Sequence, residues 1–385
     1  MPRRTGRYET TTTDGERVRA FVPDPLPPGA PPLELDGEQR ELLAGAMSAL
    51  SRLEVSGVLV PSIDWFLYGF VRKEAVLSSQ IEGTRATLRD VLTFEATNKS
   101  DRREEVEDIC NYVDALTYAR REIRRPKGLP LSTRLLCQAH KRLMRGARGA
   151  EKQPGELRRS RNWIGGTRPG NAHYVPPPPD DVPQAMSELE RWIHAADPLP
   201  PLIRAGLAHV QFETIHPFLD GNGRIGRLLI MLLVEHWGLL TSPLLYLSLA
   251  FKRQRDEYYA RLTAVRREGD WEGWTSYFLT CVREAADEGV QTSQRLFALL
   301  NKDRQTLPRR RGTTIPAIRL LDQLPKQPII TLPRAMETLE TTKPTASKAI
   351  EVLCAAGILR EITGKQRDRV YAYREYINLL TEDTE

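Results

Sequence analysis

With 385 residues, 40% hydrophobic and 28% charged, the chain has the composition of an ordinary globular protein, and at ~150 residues per domain its length argues for two or three domains. That balance excludes collagen-like, wholly disordered and membrane-bundle classes. The 56 basic and 50 acidic residues leave a net charge of +6, too thin over the whole chain to announce a nucleic-acid or anionic-membrane partner.

Residues 1–35 include PDPLPPGAPP, where proline fixes φ and removes donors, so an extended arm is expected. The first residues, MPRRTGRYETTTTDG, hold no apolar stretch of the signal-peptide kind. No later run approaches the ~18 apolar residues of a spanning helix, so no membrane contact is expected. Cys110, Cys137, Cys281 and Cys354 are too far apart for paired metal spacing and too few for a disulfide framework, which fits a reducing cytoplasm.

From residue 37 apolar positions recur at helical spacing, and helices are predicted over 37–56, 73–94, 102–122, 131–145, 183–195, 202–214, 222–237, 252–266 and 272–300. LLIMLLV at 228–234 reads as the buried stem of one of them. Between the helices, 156–180 sets two short extended pieces around GGTRPGN, a dense group of turn formers, and predicts a hairpin flap. The charged, proline-containing stretch 301–315 predicts a linker. Beyond it, helices at 315–324, 331–340 and 345–356 and a strand pair around GKQRD make a winged-helix pattern. The expected fold class is mainly α, with one short β-hairpin flap and a C-terminal winged-helix domain.

The densest chemistry lies in HPFLDGNGRIGR, His216 to Arg227, a polar segment between two apolar helical patterns. Gly221 and Gly223 permit tight turns and close backbone approach, and the amides opening the next helix face an anion. Arg224 and Arg227, one turn apart, add guanidinium donors suited to phosphate oxygens. His216 can take a proton near neutral pH, and Asp220 offers hard oxygen ligands to a magnesium ion (Mg2+) that bridges phosphates. Taken singly, each residue has a structural alternative: a helix cap, a turn, a surface ion pair. Their conjunction in one short segment favours phosphoryl or nucleotidyl chemistry.

The segment resembles the Fic family, matching its motif H-P-F-x-D-G-N-G-R-x-x-R at every specified position. The resemblance implies transfer of AMP from ATP to a hydroxyl of a protein side chain with release of pyrophosphate, or, in some lineages, another phosphate donor or the reverse reaction. It implies that His216 deprotonates the target hydroxyl, Phe218 anchors the loop, and Asp220 holds magnesium. Gly221, Asn222, Gly223 and Arg224 would surround the α and β phosphates, and Arg227 would reach the terminal one. The flap, with Gly165, Gly166, His173 and Tyr174, would pair its backbone with an extended target segment. Domains are then expected at 1–110 (arm and helical region), 111–300 (catalytic core with flap) and 311–380 (winged helix).

Ser78-Ser79-Gln80-Ile81-Glu82-Gly83 is similar to the family's inhibitory pattern, in which Ser78 and Glu82 share a helix face and Glu82 pairs with Arg227, withdrawing it from the terminal phosphate. Ser78, Glu82 and Gly83 are thus expected to be regulatory. Residues 301–380 hold 15 Lys or Arg against 8 Asp or Glu, so the net charge is concentrated there. DNA contact, protein contact and homodimerisation all remain open for that domain. The target would be a protein bearing a Tyr, Ser or Thr hydroxyl, or the chain itself. A nucleotide-sensing DNA-binding regulator is the competing class, and an intact His216 and Asp220 weigh against it. Tyr258, Tyr259, Arg261, Trp271 and Trp274 are assigned to packing rather than to chemistry.

Overall fold

The first residues form a hairpin instead of the expected extended arm. In the computed structural model, which describes residues 3–13, 15–58, 63–146 and 151–384, strand β1 (Gly6–Thr13) pairs antiparallel with β2 (Glu16–Pro23), Tyr8 opposite Phe21 and Thr10 opposite Arg19. The alternation is present in the first half of β2, where Val18 and Ala20 are buried while Arg17 and Arg19 stay exposed, and from Ala20 to Pro23 every residue is buried.

Helices follow: α1 (Gly37–Val58), α2 (Ile63–Ile81), α3 (Leu88–Thr97), α4 (Arg103–Arg124), α5 (Thr133–Leu143), α6 (Val182–His194), α7 (Pro201–Ile215), α8 (Asn222–His236), α9 (Ser248–Arg253), α10 (Arg255–Glu268) and α11 (Trp271–Thr306). Then come α12 (Ile315–Gln323), β3 (Ile329–Thr331), α13 (Leu332–Leu339), α14 (Lys343–Ala355), β4 (Arg360–Glu361), β5 (Val370–Ala372) and α15 (Arg374–Thr381). The fold is mainly α, as expected. Among the described residues, no helix is long and apolar enough to cross a membrane.

The helix predicted over 73–94 is two helices. Gly83 takes φ 94°, a conformation that favours glycine, and Thr87 restarts the chain: its hydroxyl accepts from the Asp90 N–H while the Asp90 carboxylate accepts from the Thr87 N–H at 2.8 Å. The linker predicted over 301–315 is also largely absent, because α11 continues to Thr306. Leu307 is fully buried there, and Asp303 accepts a hydrogen bond from Tyr373 at 2.5 Å.

The chain divides into two compact units, one of residues 1–51, 111–241 and 247–285, the other of 52–110, 242–246 and 286–385. In the first, the core is built on α7, buried along its length from Leu202 to Ile215, and on α8, whose 228–234 stem is wholly buried. A helix buried on every face belongs in the middle of its unit, and the polar side chains of α7, among them Arg204 and His209, are buried with it. Trp274 and Tyr258 pack there as expected, with the Trp274 indole N–H donating to the Gly206 carbonyl at 3.1 Å.

In the second unit, a three-stranded sheet ordered β3-β5-β4 lies among α12 to α14. The expected separate winged-helix domain is not a unit of its own, since these elements belong with residues 52–110. The physical reason is α15, missed from the sequence. Its Leu380 fills the space left by Gly69 on α2, its Tyr376 donates to the Trp65 carbonyl at 3.4 Å, and Gln80 donates to the Thr384 carbonyl beyond it at 2.9 Å.

Candidate active site

Helix α7 ends at His216, which takes φ 50° and ψ 61° while its N–H closes on the Phe212 carbonyl at 2.9 Å. A non-glycine residue in this region costs about 1–3 kcal/mol and persists only where its surroundings over-determine it. Arg158 supplies the restraint. Its side chain is buried, and its Nε donates to the His216 carbonyl at 2.9 Å. Its Nη2 donates to the carbonyls of Pro177 at 2.6 Å and Ile215 at 3.4 Å, and its backbone N–H to Pro217 at 2.9 Å.

The rest of the loop is fixed by its own side chains. Phe218 is fully buried and stacks on His140, ring centroids 3.9 Å apart and planes within 5°. Asn222 accepts from the Phe218 N–H at 2.9 Å and donates to the Phe218 carbonyl at 2.8 Å, so its amide works as a clamp. The Gly155 N–H donates to His140 Nδ1 at 2.9 Å, which leaves the proton on Nε2 to be donated to the Asp220 carbonyl at 3.1 Å. Burial pushes His140 down to about 4, so it sits neutral in that role.

The loop presents its polar groups at the start of α8. The Asp220 side chain is exposed, with Oδ1 accepting from the Gly221 N–H at 2.6 Å. Gly221 has φ 75°, and an added Cβ there would meet Met144 Sδ at 3.0 Å, so both conformation and space favour glycine. The first amides of α8, at Asn222, Gly223 and Arg224, open the helix and carry its positive end. Arg224 Nη2 approaches Met144 Sδ at 3.7 Å, and its Nε is buried with no hydrogen-bond partner among the described residues. Arg227 lies one turn further along α8 and is buried.

An orphaned guanidinium nitrogen beside open helix amides fits a phosphate-bearing ligand. Among the described residues no cluster of three or more metal-ligating side chains occurs, whereas magnesium asks only for one or two carboxylates plus phosphate oxygens. Asp220 meets that requirement.

The flap is laced onto this loop. Its two predicted strands shrink to a single bridge, Ile164 with Tyr174, reached through Gly165 and Gly166 at φ 70° and 71°. Asn162 donates to the Leu219 carbonyl at 3.2 Å and the Tyr174 hydroxyl to the Thr214 carbonyl at 2.6 Å. Tyr174 is thus an anchor, while His173 is exposed and covers Gly165.

Ser78, Glu82 and Gly83 belong to the second unit. Ser78 is buried in α2, and the helix stops at Ile81, so Glu82 stands exposed in the turn that follows rather than on a helix face. The Glu82 N–H bonds the Ser79 carbonyl at 3.1 Å.

Sequence reasoning missed Arg158 and His140. Arg158 sits in ELRRSRN among other arginines, and His140 follows an ordinary helical pattern; no spacing distinguishes either from a surface residue.

Residues 130–234 match the model of the Fic/DOC family, and residues 40–121 match that of the Fic/DOC family N-terminal region. A protein adenylyltransferase Fic of Drosophila yakuba is 35% identical over 135 residues, covering 34% of this chain and 24% of the relative. Its counterpart in Drosophila erecta is 28% identical over 263 residues, 66% of this chain and 48% of the relative. The chain therefore matches no more than about half the length of these curated relatives. The fold is shared with a Fic family protein from Desulfovibrio desulfuricans, with a TM-score of 0.58 and 21% identity over 88% of this chain and 97% of that one. It is also shared with a Fic domain containing signaling protein from Bacteroides thetaiotaomicron, with a TM-score of 0.52 and 18% identity over 65% of this chain and 97% of that one.

Proposed function

Because the chain is a homologue of the Fic/DOC family, we propose that it is a protein adenylyltransferase, moving AMP from ATP to a hydroxyl of a target protein or of itself. The observation that carries this reading is one short loop: His216 held in a left-handed conformation by Arg158, followed within a turn by an exposed carboxylate, open helix amides and the orphaned Nε of Arg224.

In the reaction, His216 takes the proton of the target hydroxyl as its oxygen attacks the α phosphorus. The bond from that phosphorus to the bridging oxygen of the β phosphate breaks, and pyrophosphate leaves. The hydroxyl has a high intrinsic pKa, so proton removal accompanies attack and needs only an ordinary imidazole. The amides of Asn222, Gly223 and Arg224 and the two guanidinium groups face the charge that develops, oriented before reaction. Asp220 would hold magnesium, whose charge screens the phosphate oxygens.

Gly165, Gly166, His173 and Tyr174 form the flap that presents the target segment. Glu82 restrains turnover, a role that rests on the SxxxEG pattern and on its exposed place after α2. The order α12, β3, α13, α14, β4, β5 is that of a winged helix. A groove of about 930 Å³ lined by Lys343, Lys365, Arg367 and Arg369 supports DNA contact there. The reading also places the protein in the cytoplasm.

The test is incubation of the purified chain with ATP labelled at the α or at the γ phosphate. Adenylyl transfer leaves the α label on protein and none of the γ label, and His216→Ala abolishes it. Retention of the γ label, or equal labelling of the His216→Ala protein, overturns the reading.

A further inference from the structure

Strand β2 holds the flap at two places. At one, the Phe21 N–H donates to the Val175 carbonyl at 3.0 Å. At the other, the Glu16 carboxylate accepts from Arg168 Nη1 at 2.6 Å through Oε1 and from the Gly170 N–H at 2.8 Å through Oε2. An added Cβ on Gly170 would meet Glu16 Oε2 at 2.0 Å, so the carboxylate fills the space that a side chain there would need.

The tip of the flap has its own internal turn. Asn171 Oδ1 accepts from the N–H groups of Thr167 and Arg168, both at 3.0 Å, and the Asn171 and Ala172 N–H groups close on the Arg168 and Pro169 carbonyls. Among the described residues, the hydrogen bonds that 167–172 make outside this turn all go to Glu16. Asn162, Tyr174 and Arg158 fix the two limbs of the flap through Leu219, Thr214 and Pro177, and leave its tip to β2.

The hairpin is itself anchored. Two strands alone are marginal in water, but Val18, Ala20, Phe21 and Val22 are buried. The Asp24 carbonyl accepts from Gln211 Nε2 on α7 at 3.0 Å, and the Thr5 hydroxyl donates to the Arg266 carbonyl on α10 at 3.2 Å. Arg3 bonds both carboxylate oxygens of Glu272 on α11, at 2.7 and 2.6 Å. Three helices therefore set the hairpin, and the hairpin sets the flap tip.

We infer that Glu16 is a positioning residue for the transfer: through Arg168 and the Gly170 amide it fixes the tip of the flap, and with it the place where a target segment lies relative to His216. It acts through the flap and not on the reacting atoms. That the flap presents a target rests on the function proposed above; that Glu16 fixes the flap does not. The Arg168 side chain is 64% exposed, and such an ion pair is worth little by itself. The weight falls on the Gly170 N–H, a charge-assisted bond to backbone.

Two substitutions break this contact from opposite sides. Glu16→Ala removes the carboxylate. Gly170→Ala expels it, because the new Cβ meets the free end of a flexible side chain and Gly170 is not among the glycines with positive φ. In the full chain, hydrogen exchange of peptides spanning 167–175 should quicken about tenfold in either variant with the urea midpoint unchanged, and the double variant should do no more than either alone. The maximal rate of self-labelling from α-labelled ATP should fall about tenfold with the KM for ATP unchanged. Glu16→Gln, which keeps an acceptor for the Gly170 N–H, should recover part of both. Unchanged exchange in the single variants, effects that add in the double variant, or a urea midpoint that falls in step with exchange overturns the inference. So does quickened exchange with an unaltered labelling rate. A parent chain that does not label sinks the proposed reaction and leaves the exchange comparison to decide whether Glu16 holds the flap; unchanged exchange sinks this role and leaves the labelling result standing.

Discussion

Arg158 grips His216 by its backbone: the guanidinium Nε lies 2.9 Å from the carbonyl oxygen. A buried cation thus fixes the conformation of the proposed base without touching the group that takes the proton. The same guanidinium bonds Pro177 and Ile215, so the flap's far end and the end of α7 are set by one side chain.

Arg158→Met should therefore lower the rate of label transfer by about 100-fold, the scale of a displacement near 1 Å in a reacting group, and change ATP affinity little. It should also destabilise the chain by about 3 kcal/mol, since buried carbonyls lose their donor. Arg158→Lys keeps the charge but not the fork, and should recover stability more than rate. A separate measurement of kcat and KM together with urea unfolding checks this; a variant that loses ATP affinity instead of rate contradicts it.

Arg224 is expected to act in binding. Its Nε is buried without a hydrogen-bond partner among the described residues, a state a phosphate oxygen would relieve. Arg224→Ala should weaken ATP by about 10- to 100-fold, the value of a charge-assisted bond of about 1.5–3 kcal/mol. Calorimetric titration in a His216→Ala background, where no turnover interferes, reads it directly, and His216→Ala alone should bind ATP like the parent chain.

How much was legible follows from the range of the interactions. The motif residues His216 to Arg227 are contiguous, and their chemistry could be read from spacing because one loop and one helix start contain it. The break between α2 and α3 was also written locally, in Gly83 and the Thr87–Asp90 box, and was overlooked because the apolar period continues across it. The hairpin β1–β2 was masked by threonines and arginines that pair as well as apolar residues do on an exposed face. Arg158 and His140 are different in kind: their roles come from partners 58 and 80 residues away, and no local pattern records such distances.

Glu82→Gly should raise self-labelling from α-labelled ATP. Glu82 is exposed in a turn, so its loss should not disturb the fold, and any gain in rate reports release of a restraint. An increase of about tenfold, equivalent to 1.4 kcal/mol, is expected in an initial-rate assay. An unchanged rate with a folded variant removes Glu82 from regulation.

Acid should weaken the site through His140. Burial holds this histidine at about 4 against its usual 6.5, so between those values the unfolded chain binds a proton that the folded chain refuses. Its share of stability is present above pH 6.5 and is lost as the pH falls toward 4, about 2–3 kcal/mol between pH 6.5 and 4.5 at 1.36 kcal/mol per unit. His209, which burial depresses to about 3, acts in the same direction, so the His140 share has to be isolated by difference. His140→Phe keeps a ring against Phe218 but loses the bonds to Gly155 and Asp220, and it cannot titrate. It should start less stable at pH 7 and then lose less than the parent on acidification, with His209 and the carboxylates cancelling between the two. Urea midpoints at pH 7.0, 5.5 and 4.5 measure both slopes. Parallel slopes would mean that His140 is protonated in the folded chain, and the tautomer that holds the Asp220 carbonyl would have to be reassigned.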